Sequence, residues 1–84
     1  MKRREPVIHD LNKCYFHEIA DNYYQCLFSE NPIDLVTIKN ITIEECKFIK
    51  IDFSLVKLIN THLVDCIFEN CDLSNLDFNK VSIH

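Results

Sequence analysis

Five cysteines and four histidines are the residues of this 84-residue chain most able to do chemistry. Together the two types can supply disulfides, a tetrahedral metal site, or a thiol nucleophile with its base, and spacing decides among these. Cys26, Cys46 and Cys66 recur at intervals of 20, Cys71 follows five residues later, and no CxxC pair occurs. One stack of parallel cysteines is a poor tetrahedral site. Cys14 and His17 could act as nucleophile and base, but no third group or oxyanion donor accompanies them. His9, His17, His62 and His84 are scattered, and His62, next to Thr61 at an outward position, is expected to be a solvated surface residue. With no glycine in the chain there is no glycine loop to cradle a phosphate. These residues imply no catalytic centre, no cofactor site and no metal site, and the chain is expected to be non-enzymatic.

The elements that position the cysteines follow from a longer pattern. Every fifth residue from Phe28 is apolar: Phe28, Ile33, Ile38, Ile43, Phe48, Phe53, Leu58, Leu63, Phe68, Leu73, Phe78 and Ile83. A helix repeats apolar residues at spacings of three and four and a half-buried strand at two, so a spacing of five requires a chain wound in five-residue sides. Two residues before these positions stand Cys26, Val36, Ile41, Cys46, Ile51, Val56, Cys66, Cys71, Leu76 and Val81, with Asn31 and Thr61 as the departures. Each unit therefore turns two side chains inward. Four of the five cysteines occupy the smaller inward position, where a reduced thiol behaves as a compact apolar group, so Cys26, Cys46, Cys66 and Cys71 are expected to be reduced core residues.

The units Cys71-Asp72-Leu73-Ser74-Asn75, Leu76-Asp77-Phe78-Asn79-Lys80 and Ile51-Asp52-Phe53-Ser54-Leu55 resemble the pentapeptide-repeat family, whose unit is a small residue, Asp or Asn, Leu or Phe, and two variable residues. The resemblance covers residues 26 to 84 and implies an all-β fold, a right-handed quadrilateral β-helix of about three regular coils. Four sides of five residues place equivalent residues 20 apart, and the near-copies Gln25-Cys26-Leu27-Phe28, Glu45-Cys46-Lys47-Phe48 and Asp65-Cys66-Ile67-Phe68 are so spaced. Coils stacked at about 4.8 Å would then stack Phe on Phe inside the tube. The remaining sides would carry Ile33 over Phe53 and Leu73, Ile38 over Leu58 and Phe78, and Ile43 over Leu63 and Ile83.

A chain without glycine must turn its corners with other residues, and asparagine tolerates left-handed backbone angles best. Asn40, Asn60, Asn70 and Asn75 fall at the last position of their units, whereas Leu35, Leu55, Lys50 and Lys80 are expected at corners without a positive φ. Asp52, Asp72 and Asp77 precede the central apolar residue and are placed to accept hydrogen bonds from nearby amides.

Residues 1–25 fit the phase less well. In one reading Leu11, Phe16 and Tyr23 are central residues of an irregular first coil; in the other, residues up to about 20 form a cap, with Met1 to Glu5 as a tail. At the opposite end Ile83 is in phase one residue before His84, so an uncapped C-terminal coil is expected either to self-associate or to continue in a longer protein. No apolar run is long enough to span a bilayer, and Lys2, Arg3 and Arg4 lead into Glu5-Pro6 rather than an apolar stretch, so no membrane association or signal peptide is expected and the location is read as bacterial or otherwise cytoplasmic.

The charge balance bears on partners. Nine basic and thirteen acidic residues give a net charge of −4, and from Glu5 onward six basic residues face all thirteen acidic ones, a balance of −7. Direct nucleic-acid binding through phosphate neutralisation is therefore not expected. Glu45 and Asp65, and Asp52 and Asp72, are each 20 apart and would form two short acidic columns. The family resemblance extends weakly to members that protect type II topoisomerases by imitating DNA, which implies DNA gyrase or topoisomerase IV as a protein partner. The alternative is a general interaction or scaffold solenoid, docking through outward aliphatics: Leu27, Ile49 and Ile67 beside the cysteine ladder, Leu35 and Leu55 at one corner, Ile59 and Val64 near another. Such patches mark contact surfaces or simply suit extended backbone.

Overall fold

The computed structural model describes residues 11–17, 21–77 and 80–83. All of its regular elements are strands, in the order β1 Asn12–Lys13, β2 Tyr23–Tyr24, β3 Cys26–Phe28, β4 Val36–Lys39, β5 Thr42–Glu44, β6 Lys47–Ile49, β7 Val56–Ile59, β8 Thr61–Val64, β9 Ile67–Glu69 and β10 Val81–Ile83. No helix occurs among the described residues. Three parallel sheets result, with strand orders β1-β3-β6-β9, β2-β5-β8-β10 and β4-β7. A fourth column is joined by the parallel bridge Asp52↔Asp72.

The register between coils is twenty residues. It pairs Phe28 with Phe48 and Phe48 with Phe68, Tyr23 with Ile43 and Ile43 with Leu63, Ile38 with Leu58, and Leu63 with Ile83. The rings of Phe28, Phe48 and Phe68 stack with centroids 5.0 Å apart at each step and planes within 9°. That spacing is close to the strand separation, so the aromatic ladder follows directly from the backbone ladder. Phe28, Ile38, Ile43, Phe48, Phe53, Leu58 and Leu63 are buried, as their phase requires. Ile83, on the outermost strand of its sheet, remains 51% exposed.

Ile33 breaks the pattern. It is 97% exposed. The interior it was expected to fill is occupied instead by Phe16, which stacks on Phe28 at 4.4 Å and lies 6.5 Å from Phe53 in an edge-on arrangement. β1 pairs with β3 in a register of fourteen, Asn12↔Cys26. Phe16 and Tyr23 are thus core residues, while Leu11 is only partly buried.

Asn31, the departure at the inward position, explains how the backbone leaves the ladder there. In regular coils an amide donates to the carbonyl 21 residues earlier, as Asp72 N does to Ile51 O at 3.0 Å, and another to the carbonyl 19 later, as Lys50 N does to Glu69 O at 2.9 Å. At Asn31 both bonds are made by the side-chain amide: Nδ2 donates to Lys50 O at 3.2 Å and Oδ1 accepts from Asp52 N at 2.8 Å. The side chain replaces its own peptide group, and the main chain is displaced. Asn22 Oδ1 plays a similar part for Thr42 N at 2.7 Å. Thr61, the other departure, is buried and donates its hydroxyl to Ile59 O at 3.0 Å.

The corners divide into two kinds. Gln25, Asn40, Glu45, Lys50, Asn60, Asp65 and Asn70 all have φ between 48° and 61°. Lys50 corrects the expectation that it would turn without a positive φ, and Asn75 is not among these residues although its type suited it. The cause is the position in the coil. The column Leu35, Leu55, Asn75 follows the bridged side, where the chain closes on itself through Leu55 N to Asp52 O at 3.1 Å and Leu76 N to Leu73 O at 3.1 Å. Such local turns need no left-handed residue. The other corners carry the coil-to-coil ladder straight through, with Asn40 N donating to Ile59 O and Glu45 N to Val64 O. The left-handed angle is imposed by that ladder whatever residue stands there. Phe78, the tail Met1 to Glu5, His9 and His84 lie outside the described residues.

Candidate protein-binding surface

Glu45 and Asp65 occupy successive left-handed corners at the entrance to the sheet β3-β6-β9, on the face that carries Lys47, Ile49, Ile67 and Glu69. Asp52 and Asp72 stand just beyond the corner that leaves it, bridged across the coil step. Both aspartates cap turns: Asp52 Oδ1 accepts from Ser54 N at 2.9 Å, and Asp72 Oδ1 accepts from Ser74 N at 3.0 Å and Ser74 Oγ at 2.6 Å. These bonds hold the Asp72 carboxyl below the usual carboxylate range, the side-chain bond first. Each turn uses one carboxylate oxygen.

Tyr24 and Glu44 belong to the same acidic edge and were not singled out in the sequence. Tyr24 is 55% exposed, and its phenol is raised by the nearby Glu45 charge first, and then by slight desolvation, a hydrogen bond to Glu45 and the Glu44 charge. The signal was present, since Tyr24 and Glu44 are one register step apart.

The outward aliphatics are less continuous than their clustering suggested. Leu27 and Ile67 are in one column, but Lys47 lies between them in the register, and Ile49 is opposite Glu69. Lys47 Nζ pairs with Glu69 at 3.1 Å, so an ion pair crosses the supposed patch. Ile49 and Ile67 are partly buried among these charges. Leu35 and Leu55 do adjoin through Val36 N to Leu55 O at 2.9 Å, with Leu35 56% exposed.

The cysteines separate into two groups. Cys46, Cys66 and Cys71 are free thiols: Cys46 lies 3.3 Å from Glu44 O, Cys66 is within reach of Ile43 O at 3.2 Å and Val64 O at 3.5 Å, and Cys71 of Phe48 O at 3.3 Å and Glu69 O at 3.5 Å. Burial pushes the Cys46 thiol up to about 12 and raises Cys66 as well. Cys26 departs from the expectation of a reduced thiol: it is disulfide-bonded to Cys14, with Cα atoms 5.6 Å apart. Cys14 is therefore no nucleophile for His17. Among the described residues no three His, Cys, Asp or Glu side chains are grouped to hold a metal, and no helix is long and apolar enough to cross a membrane. His62 is exposed and shares a hydrogen bond with its register partner Ser82.

Pentapeptide repeats match residues 41–83 in eight copies. The chain belongs to the pentapeptide-repeat family. Members are generally non-enzymatic structural or binding modules, and the parallel, all-strand architecture is the β-helix that such repeats imply. The matched repeats span β5 to β10 and include both acidic columns. No curated protein and no solved structure matches the chain.

Proposed function

We propose that this pentapeptide-repeat chain is a protein-binding rod whose acidic edge imitates DNA toward a type II topoisomerase, DNA gyrase or topoisomerase IV, in a bacterial cytoplasm. The observation that carries the reading is the pair of acidic columns, Glu45 with Asp65 and Asp52 with Asp72, repeated one coil apart on either side of one sheet. Tyr24 and Glu44 stand in the adjoining column, beside Glu45. A cross-section of 26 × 24 Å is compatible with a rod that enters a duplex channel. The fold proposed with it is a right-handed quadrilateral β-helix of about three regular coils over residues 26–84, self-associating through its last coil. Direct nucleic-acid binding is disfavoured by the charge balance.

The test is a gyrase supercoiling assay with and without the protein across a salt series. The wild type should inhibit or protect the enzyme, less so as salt rises. The variant Glu45→Gln, Asp52→Asn, Asp65→Asn, Asp72→Asn should lose the effect, and because asparagine still caps the Ser54 and Ser74 turns, it should stay folded. An inert wild type would remove the topoisomerase reading. A second reading, docking of a partner on aliphatics, is favoured at one place only, the Leu35 and Leu55 corner next to exposed Ile33. There Leu55→Lys would abolish binding while the charge variant kept it.

A further inference from the structure

Two side chains are eligible for one core position. The five-residue phase assigns the space above Phe53 to Ile33, yet Ile33 is 97% exposed and Phe16 stands against Phe28 at 4.4 Å, Phe48 at 6.1 Å and Phe53 at 6.5 Å. Two residues from Phe16, Cys14 is disulfide-bonded to Cys26. We propose that this disulfide is a redox latch, holding Phe16 in the core when oxidised and letting Ile33 exchange into its place when reduced.

The segment around Phe16 has few other anchors. β1 is two residues long; Asn12 N donates to Gln25 O at 3.1 Å and Cys14 N to Leu27 O at 2.9 Å. Tyr23 Oη accepts from His17 N at 3.2 Å and donates to Tyr15 O at 3.4 Å, and Lys13 pairs with Glu30 at 3.4 Å on the surface. The disulfide is the covalent tie among these, and while oxidised it confines the intervening loop in the folded and the unfolded chain alike.

The Ile33 side is already poised to return. Asn31 makes both coil-to-coil hydrogen bonds through its side-chain amide, to the same Lys50 O and Asp52 N that its peptide group would use in a regular coil. Replacing side chain by main chain restores the ladder without orphaning either group and brings residue 33 into phase. The exchange therefore leaves Lys50 O and Asp52 N bonded in both arrangements, at the cost of the two bonds that the Asn31 carboxamide makes now.

Opening the latch consumes a dithiol reductant. Thiolate attack on one sulfur breaks the Cys14–Cys26 bond through a mixed disulfide, two electrons and two protons leave the reductant as it becomes a disulfide, and Cys14 and Cys26 end as thiols. Buried Cys46, whose thiol is pushed up to about 12, is a poor competitor in that exchange.

The test compares Ile33→Ser in the oxidised and the reduced protein. Denatured oxidised protein should titrate three thiols and reduced protein five. In the oxidised form Ile33→Ser should leave the melting temperature within about 1 °C, because the side chain is in solvent. In dithiothreitol, or in a Cys14→Ser background, the same substitution should lower it by more than about 4 °C, and Phe16→Ala should become milder than in the oxidised form. An equal effect of Ile33→Ser in both states, five thiols in the oxidised protein, or unfolding of the wild type on reduction would each overturn the latch. If Cys14→Ser fails to fold, the reduced wild-type background decides alone.

Discussion

Truncating Phe48 to alanine should destabilise the protein far more than truncating Phe68, although the two occupy equivalent repeat positions. Phe48 is fully buried between Phe28 and Phe68, with centroids 5.0 Å away on both sides, and Phe53 meets it edge-on at 5.5 Å. Phe68, in the next coil, is only partly buried and has Phe48 on one side and Phe53 edge-on at 5.8 Å. Loss of a buried Phe costs about 3–5 kcal/mol, transfer and cavity together, and each aromatic contact is worth about 0.5–1.5 kcal/mol beyond burial. Phe68 is partly exposed and has one stacking partner fewer, so a loss of about 2 kcal/mol is expected. For a chain of this size, with total stability of about 4–13 kcal/mol, Phe48→Ala is close to unfolding. A difference of roughly 2 kcal/mol corresponds to about 10 °C in melting temperature. Urea or thermal melts followed by circular dichroism measure it, and Phe48→Leu supplies a milder variant should Phe48→Ala fail to fold. An equal or larger loss for Phe68→Ala would refute the continuous aromatic stack as the main source of stability.

Other expectations follow from corners, thiols and caps. Lys50 has φ 54°, so Lys50→Val should cost about 1–2 kcal/mol in denaturant melts, whereas Lys50→Asn should be neutral or stabilising; a tolerated valine would argue against a left-handed corner. Cys46, pushed up to about 12, should be thiolate in about one molecule in 10⁴ at pH 8, and iodoacetamide followed by mass spectrometry should modify it only after unfolding. Asp72 is held below its ordinary range by Ser74. Its contribution to stability is therefore complete above the ordinary carboxylate pKa and lost as pH falls through the depressed one. Melting temperatures from pH 7 to pH 3 should fall less steeply for Asp72→Asn than for the wild type.

Much of this architecture is legible in spacing alone. The five-residue phase identifies Phe28, Ile38, Phe48, Phe53 and Leu63 as core, and the interval of twenty appears in the register as Phe28↔Phe48↔Phe68 and Thr42↔His62↔Ser82. Phase states which residues face inward if the backbone stays on the ladder; it cannot show where another segment competes. Ile33 was misplaced for that reason, since Phe16 reaches the same space from a register of fourteen. The same off-phase register hid the Cys14–Cys26 pair. Lys50 was expected to turn without a positive φ and nothing marked Gln25, Glu45 or Asp65, because residue preference suggests asparagine while the continuous ladder demands the angle of any occupant. For the surface, spacing placed Glu45 over Asp65 and Asp52 over Asp72 but overlooked what interleaves with the aliphatics: Lys47 between Leu27 and Ile67.

The two kinds of cysteine show why one residue type carries two meanings in this solenoid. At the inward position of a regular unit a group must be compact; Ile41, Ile51 and Val56 fill it with apolar bulk alone, and a polar occupant must also find a carbonyl to bond. The Thr61 hydroxyl and the Cys46 thiol reach the carbonyl two residues earlier, and the Cys66 and Cys71 thiols reach that carbonyl or, more closely, one of the preceding coil. Serine, threonine or cysteine would serve equally by that criterion, and cysteine adds only apolar volume. Cys26 occupies an equivalent position one coil earlier, where the chain no longer has a regular coil stacked above it. What stacks there is the short segment bearing Cys14, and a sulfur already turned toward that end becomes available for a covalent tie. The chemistry of the column thus changes where the repeat gives way to the N-terminal segment, because a partner strand of irregular register approaches a residue whose regular neighbours keep theirs inert.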